Sequence, residues 1–266
     1  YENEAAQIFE QESSDRAFEE EVMLVGFGQA NVKAEGSAVG FDTASESFTA
    51  RYVHDTIALA FALTEEAVED NLYDTLSARY TKALARSMAY TKQVRGANVL
   101  NDAFTVAGGD GVSLINTAHP TALGGNFSNR SATDADLNET SLEQGMIDIA
   151  GFIDERGLKI AMKGQKLILP VNLQFVADRI LESTLRVGTA DNDINAMKNM
   201  GMLPGGYTVN HYLTDTDAWF IKTDCPNGLK HFVRAALATG MEGDFDTGNM
   251  RYKARERYSF GYSDPR

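Results

Sequence analysis

Apolar and polar residues alternate with a period of two in the first quarter of the chain: Val22, Leu24 and Phe27, then Phe48, Ala50 and Tyr52, then Ile57, Leu59 and Phe61. That period is the signature of strands with two unlike faces. Between the first two sets, residues 31–46 hold few large apolar side chains, and Gly36 and Gly40 fall in their middle. The pattern predicts a long two-stranded excursion that cannot close a core by itself and leans on a neighbouring subunit. Residues 1–21 ahead of it are polar and acidic, with only Ile8, Phe9 and Phe18 scattered among them, which predicts an arm that lies on something else.

The period then changes to that of a helix. Val68, Leu72, Leu76, Tyr80, Leu84 and Met88 recur every four residues. Thr64 stands as N-cap, Glu65, Glu66, Glu69 and Asp70 sit at the positive end, and Arg86, Lys92 and Arg95 at the negative end, with Gly96 as the stop. A helix over 64–95, about 45 Å long at 1.5 Å per residue, is expected. Residues 98–136 are rich in Gly, Asn, Ser, Thr and Asp and predict loops with short strands. A capping box at Thr140-Ser141-Leu142-Glu143 opens a second helix that buries Leu142, Met146, Ile149 and Ile153 and ends at Gly157. Short strands at 158–162 and 166–171, a third helix over 173–186, and strands at 207–213, 218–222, 229–236 and 250–262 complete an α+β chain with helices and strands in blocks.

Charge narrows the function. The 266 residues carry 24 Lys and Arg against 38 Asp and Glu, a net charge of −14, which repels phosphate backbones and anionic lipid. A single cysteine, Cys225, excludes an internal disulfide and a cysteine cage for metal, and suits a reducing compartment. No run of about eighteen apolar residues occurs, and the acidic start at Tyr1 lacks the pattern of a signal peptide. The absence of an initiator Met predicts that something ahead of Tyr1 has been removed.

The candidate chemistry does not assemble. A calcium loop is approached twice: Asp134, Asp136 and Asn138 meet Glu139 and Gly145 where Gly and a bidentate Glu are needed, and Asp191, Asp193 and Asn195 meet Ala196 and Met202. Helix caps and turns explain both sets. His54, His119, His211 and His231 are too far apart in sequence for a local metal pair. Gly26-Phe27-Gly28 lacks the third glycine of a dinucleotide loop, Gly36-Ser37-Ala38-Val39-Gly40 has its serine one place early for a nucleophile elbow, and Cys225 reads as a buried or turn thiol. Arg251, Lys253, Arg255 and Arg257 alternate with Tyr252 and Tyr258 on the last strand, whose polar face is expected to meet acidic neighbours. No enzyme, cofactor or metal is predicted.

Several strings, in this order, resemble segments of tailed-bacteriophage major capsid proteins, especially the Mu-like major head subunit group: Glu35-Gly36, Tyr52-Val53-His54, Thr64-Glu65-Glu66, Glu69-Asp70-Asn71-Leu72-Tyr73, Thr117-Ala118-His119-Pro120, Leu167-Ile168-Leu169-Pro170, Asp217-Ala218-Trp219-Phe220, and Asp246-Thr247-Gly248-Asn249 through Arg255 to Ser259-Phe260-Gly261. The resemblance implies the Johnson fold: an N-terminal arm (1–21), an extended loop (22–55), a peripheral domain (56–137) with its spine helix at 64–95, a mainly axial domain (138–213), and return strands of the peripheral domain (214–266). It also implies a structural protein that self-assembles through hexamers and pentamers into an icosahedral head in the bacterial cytoplasm. Portal, scaffold or decoration proteins would be its partners, with DNA enclosed but not specifically bound and no membrane involved. Phe18, Phe27, Lys33, Glu35, Gly36, Phe41, Phe48 and Tyr52 would make the intersubunit contacts. No lysine–asparagine pair for covalent sealing aligns, Lys33 being only suggestively placed, so no crosslinking is expected. An encapsulin-type nanocompartment shell and a ligand-binding enzyme with its site in 98–136 remain the alternatives.

Overall fold

A computed structural model describes residues 3–70, 73–186 and 193–266. Its elements run α1 (Ala5–Ile8), β1 (Glu10–Ser13), β2 (Phe18–Val25), β3 (Ser45–Val53), β4 (Asp55–Leu63), α2 (Glu65–Glu69), α3 (Tyr73–Asn101), β5 (His119–Pro120), β6 (Asn126–Phe127) and α4 (Glu139–Ala150). After these come β7 (Gly164–Leu169), α5 (Gln174–Glu182), α6 (Ala196–Met200), β8 (Tyr207–Val209), β9 (Phe220–Thr223), β10 (Leu229–Gly243) and β11 (Met250–Tyr262). They fold into two units, each drawn from separated parts of the chain: 1–19, 52–99 and 230–261 in the first, 20–51, 100–229 and 262–266 in the second.

The first unit is a four-stranded sheet in the order β1-β10-β11-β4 under the long helix α3. β11 runs antiparallel to β4 from Met250↔Leu63 to Tyr258↔Asp55. Leu84 and Met88 of α3 are buried on Ala254 of β11, with Ile57 and Phe61 beside them. Thr64 caps a helix, its hydroxyl accepting from the Ala67 N–H, but that helix is the short α2, which ends at Glu69; the single helix expected over 64–95 is divided into α2 and α3. Leu72 of the expected stripe lies outside the described residues.

Gly96 does not stop the long helix, which continues to Asn101. A Cβ at 96 would come within 3.2 Å of the Ala5 Cβ and 3.5 Å of the Phe260 ring, so this glycine is a notch for close packing inside the helix. The arm residues are also accounted for within the chain. Ile8 and Phe9 are buried, Phe9 meets Phe260 edge-on at 5.0 Å, and β1 adds in parallel to β10 from Glu10↔Lys230 to Ser13↔Val233. A short segment too poor in apolar residues to make a core can still extend a sheet that exists already.

In the second unit α4, α5 and α6 surround the sheet β8-β7-β9, with Leu142, Met146 and Ile149 of α4, Leu167 and Leu169 of β7, and Ala177, Ile180 and Leu181 of α5 sharing one core. The capping box lies two residues earlier than expected: the Asn138 side chain accepts from the Ser141 N–H, and the Ser141 hydroxyl accepts from the Asn138 N–H. The helix ends at Ala150, not at Gly157, because Gly151 closes it and the chain turns into a loop bridged at Ile153 and Lys159; 158–162 form no strand. The third helix is shorter than expected, Gln174–Glu182, and follows a 3-10 turn over Val171–Leu173.

The excursion is a hairpin of β2 and β3, and 26–44 between them carry no helix or strand. Its first strand begins at Phe18, and β4, the third set of alternating residues, leaves it for the sheet of the first unit.

Candidate assembly surface

Along β2 both faces mix apolar and acidic residues. Val22 and Leu24 point to solvent, Leu24 with 72% of its surface exposed, whereas Glu21 and Met23 are half-buried. Glu21 accepts from the Ser263 hydroxyl, and the Arg266 guanidinium lies 3.9 Å from the Met23 sulfur. The inward face carries Glu19, Glu21, Met23 and the fully buried Val25, and the outward face carries Phe18, Glu20, Val22 and Leu24.

The tip beyond β2 continues this. Phe27 is 62% exposed, and Val32 and Phe41 are fully exposed. Lys33, Glu35 and Gly36 lie on the surface too, with Gly36 at φ +77°, where a side chain would be strained. Of the other residues expected to make contacts, Phe18 is exposed at the start of β2 and Phe48 is half-buried. Tyr52 is only 4% exposed, its ring packed edge-on against Phe232 at 4.8 Å, so it serves its own chain.

One bonded set ties the base of this tip down. The Asp42 carboxylate accepts from the Gly28 N–H at 2.7 Å, from the Thr43 N–H at 2.8 Å, and from Arg156 Nη1 at 3.2 Å, while Arg156 Nη2 donates to the Thr43 carbonyl at 2.5 Å. The Gly28 and Thr43 amides and then Arg156 hold the Asp42 carboxyl below the usual range. Sequence reasoning missed this latch; Asp42 and Arg156 are 114 positions apart, and neither belongs to a motif.

Three of the histidines tested for chemistry, and Asp134 among the acids, have structural partners. His54 sits between the Ser14 hydroxyl at Nε2 (2.9 Å) and the Ser259 hydroxyl at Nδ1 (3.0 Å), and burial lowers its pKa. His119 is wholly buried with Nδ1 2.6 Å from Asp110 and its ring stacked on Phe127. His231 stacks on Phe260 at 4.2 Å. Asp134 is paired with Arg130, and Asn195 caps α6 while donating to the Ile180 and Ser183 carbonyls; Asp191 lies outside the described residues. Arg251 pairs with Asp244, and Arg257 donates to the His54 carbonyl. Cys225 is buried and burial pushes its thiol pKa up, which removes its nucleophilic form. Among the described residues, no three His, Cys, Asp or Glu side chains are placed to hold a metal, and no helix is long and apolar enough to cross a membrane.

The strongest buried polar group lies in the second unit. Arg266, 8% exposed, pairs with Glu155 at 2.5 Å and with Asp264 at 3.1 Å, donates to the Ile153 carbonyl at 2.9 Å, and covers the Phe127 ring at 4.3 Å. This ties residues 264–266 into the unit; it is a structural clamp, not a site open to a substrate.

The sequence profile of the phage capsid protein family matches residues 47–266. The chain belongs to the phage capsid protein family. As a member it is a structural shell protein of the virion, not an enzyme. No curated protein matches it in sequence. Its fold is similar to that of the bacteriophage JBD30 capsid, with 12% identity and a TM-score of 0.59, covering 79% of this chain and 90% of that one. It is similar also to the capsid of Myoviridae phage XM1, with 11% identity and a TM-score of 0.57, covering 97% and 86%. A third likeness is to the virus-like particle from Pyrococcus furiosus, with 9% identity and a TM-score of 0.53, covering 98% and 88%. These likenesses establish the Johnson fold of tailed-phage capsids for this chain.

Proposed function

We propose that copies of this capsid protein assemble through hexamers and pentamers into a closed icosahedral head around a phage genome, in the cytoplasm of a bacterial host. The observation that carries this reading is the outer face of β2 and the tip after it: Leu24, Phe27, Val32 and Phe41 are large apolar side chains that their own chain leaves largely in water. Apolar surface of this kind is stabilised when another subunit covers it. In this reading residues 22–55 are the extended loop that lies across a neighbour, with Phe18, Lys33, Glu35, Gly36 and Phe48 at its contacts. In the same reading 56–137, with α3 as spine, and 214–266 form the peripheral domain, and 138–213 form mainly the axial domain.

The net charge of −14 supports a lining on which packaged DNA is enclosed without specific binding. Portal, scaffold and decoration proteins are the expected further partners, and kinship with Mu-like head subunits is supported by the strings quoted above. Replacing residues 29–41 by a short Gly-Ser linker tests the reading. The subunit should fold with an unchanged melting temperature and fail to close shells; a variant that closes normal shells refutes the role given to the loop.

A further inference from the structure

The face of α3 opposite its buried side is basic. At about 100° per residue, Arg79, Lys82, Ala83, Arg86 and Tyr90 form one stripe, on the other side of the helix from Leu84 and Met88. All five are exposed. The two later cations of the helix are taken up in their own unit: Lys92 pairs with Glu256 at 2.5 Å, and Arg95 pairs with Asp55. Among the described residues, Arg79 and Lys82 meet no carboxylate. In a chain of net charge −14 this stripe is an exception.

The opposite character occurs at the end of the β10–β11 hairpin. Phe245 is fully exposed and Met241 is 59% exposed, and both are flanked by Glu242 and Asp246 on the surface. This tip has a defined shape. The Asp244 N–H donates to the Asn249 carbonyl and the Gly248 N–H to the Asp244 carbonyl, both at 2.8 Å. The Asp244 carboxylate accepts from the Thr247 hydroxyl at 2.6 Å and from Arg251, and Gly248 turns the chain at φ +68°. A phenylalanine held out in water on an ordered turn gains nothing for the subunit that carries it.

We infer that the 241–247 tip docks on the outer stripe of α3 of a second copy, with Phe245 over Ala83 and the Arg79 stem, and with Glu242 and Asp246 facing Arg79 and Lys82. The inference rests on the shell reading and adds a contact separate from the extended loop. The subunit's own tip cannot make it, because the hairpin continues the sheet that covers the Leu84–Met88 face, while the stripe looks the other way. Nucleic acid would satisfy the cations but would leave Phe245 uncovered and meet Glu242 and Asp246 with like charge. A second copy answers both surfaces at once.

The test is a charge swap on the full chain. Arg79→Glu with Lys82→Glu, and separately Glu242→Lys with Asp246→Lys, should each raise the concentration needed for shell formation, read by light scattering and electron microscopy, about tenfold or more. The two pairs combined should recover assembly toward the unmodified level, and Phe245→Ser alone should also weaken it. All these positions are exposed, so unassembled subunits should melt as the unmodified protein does. Two outcomes overturn the inference while leaving the shell reading intact: charge reversals that assemble at the unmodified threshold, or a combined variant no better than the poorer single pair. Shells of Arg79→Glu with Lys82→Glu that form normally but retain less DNA would give the stripe to nucleic acid and also overturn it. An unmodified protein that forms no shells would sink the shell reading, and this contact with it.

Discussion

Each unit buries ions with their counter-charges, Glu256 with Lys92 and Lys230 with Glu12 in the first and Arg266 with Glu155 in the second, but the two differ in the buried group most open to perturbation. In the first, His231 and Tyr258 are buried with ring and aromatic neighbours, and neither the His231 Nε2 nor the Tyr258 hydroxyl has a hydrogen-bond partner among the described residues. In the second, Arg266 is buried as a cation, with Glu155 and Asp264 on its guanidinium. A neutral buried imidazole tolerates its surroundings until it is protonated, whereas a buried ion pair tolerates any moderate pH but not the loss of one partner. Acid should therefore act on the first unit through His231, and loss of a partner on the second through Arg266.

The largest effect should come from Arg266→Ala. It leaves Glu155, 5% exposed, without its counter-charge, and should destabilise the second unit by about 3–5 kcal/mol. Urea denaturation with Trp219 fluorescence as the probe would measure this, since that tryptophan packs on the core of the second unit. A loss below about 1 kcal/mol would show the clamp to be solvent-screened.

Acid gives the next effect. Burial first, and then Lys92, lower the His231 pKa from 6.5 to about 4. A folded pKa below the unfolded one means that the unfolded chain binds the extra proton, so the contribution is complete above pH 6.5 and is lost as pH falls toward 4. The loss should reach about 3 kcal/mol at one proton and 1.36 kcal/mol per pH unit. His54, lowered in the same direction by burial, adds to it. His231→Phe should flatten the fall between those pH values in thermal melts of the first unit. An equally steep fall in that variant would assign the acid sensitivity elsewhere.

A smaller change separates the two hairpin ends. Gly248→Ala puts a Cβ on the Glu65 carboxylate at a positive φ and should cost about 1–2 kcal/mol. Hydrogen exchange at the Gly248 and Asp244 amides should speed up. The smallest effect on stability is expected of Asp42→Ala, because the latch is on the surface. The melting temperature should stay unchanged while protease cleavage within 29–41 becomes faster, and unchanged cleavage would show that the tip is held by something other than Arg156.

Much of the fold was legible because it depends on local pattern. The period of four that ends in Leu84 and Met88 found α3, the alternation around Tyr252 and Tyr258 found β11 at its full length, and Thr64 marked a helix start correctly. What failed depended on contacts distant in sequence. Gly96 has the composition of a stop, and only Ala5 and Phe260, on other elements, make it a notch. Ile8 and Phe9 look insufficient until β10 is there to receive β1. Of the residues expected to make intersubunit contacts, Phe27, Lys33, Glu35, Gly36 and Phe41 lie on the surface and Tyr52 packs on Phe232, and alternation alone could not tell which face of β2 is left in water. The Asp42–Arg156 latch and the Arg266 clamp join residues more than a hundred positions apart and carry no sequence signal.

Electron microscopy of the purified full chain, with size-exclusion fractions taken across a range of concentrations, tests the central claim most directly. The account predicts closed shells or sheets of hexamers that appear above a threshold concentration. A monodisperse species of a few subunits at most, unchanged by concentration or crowding, would contradict it.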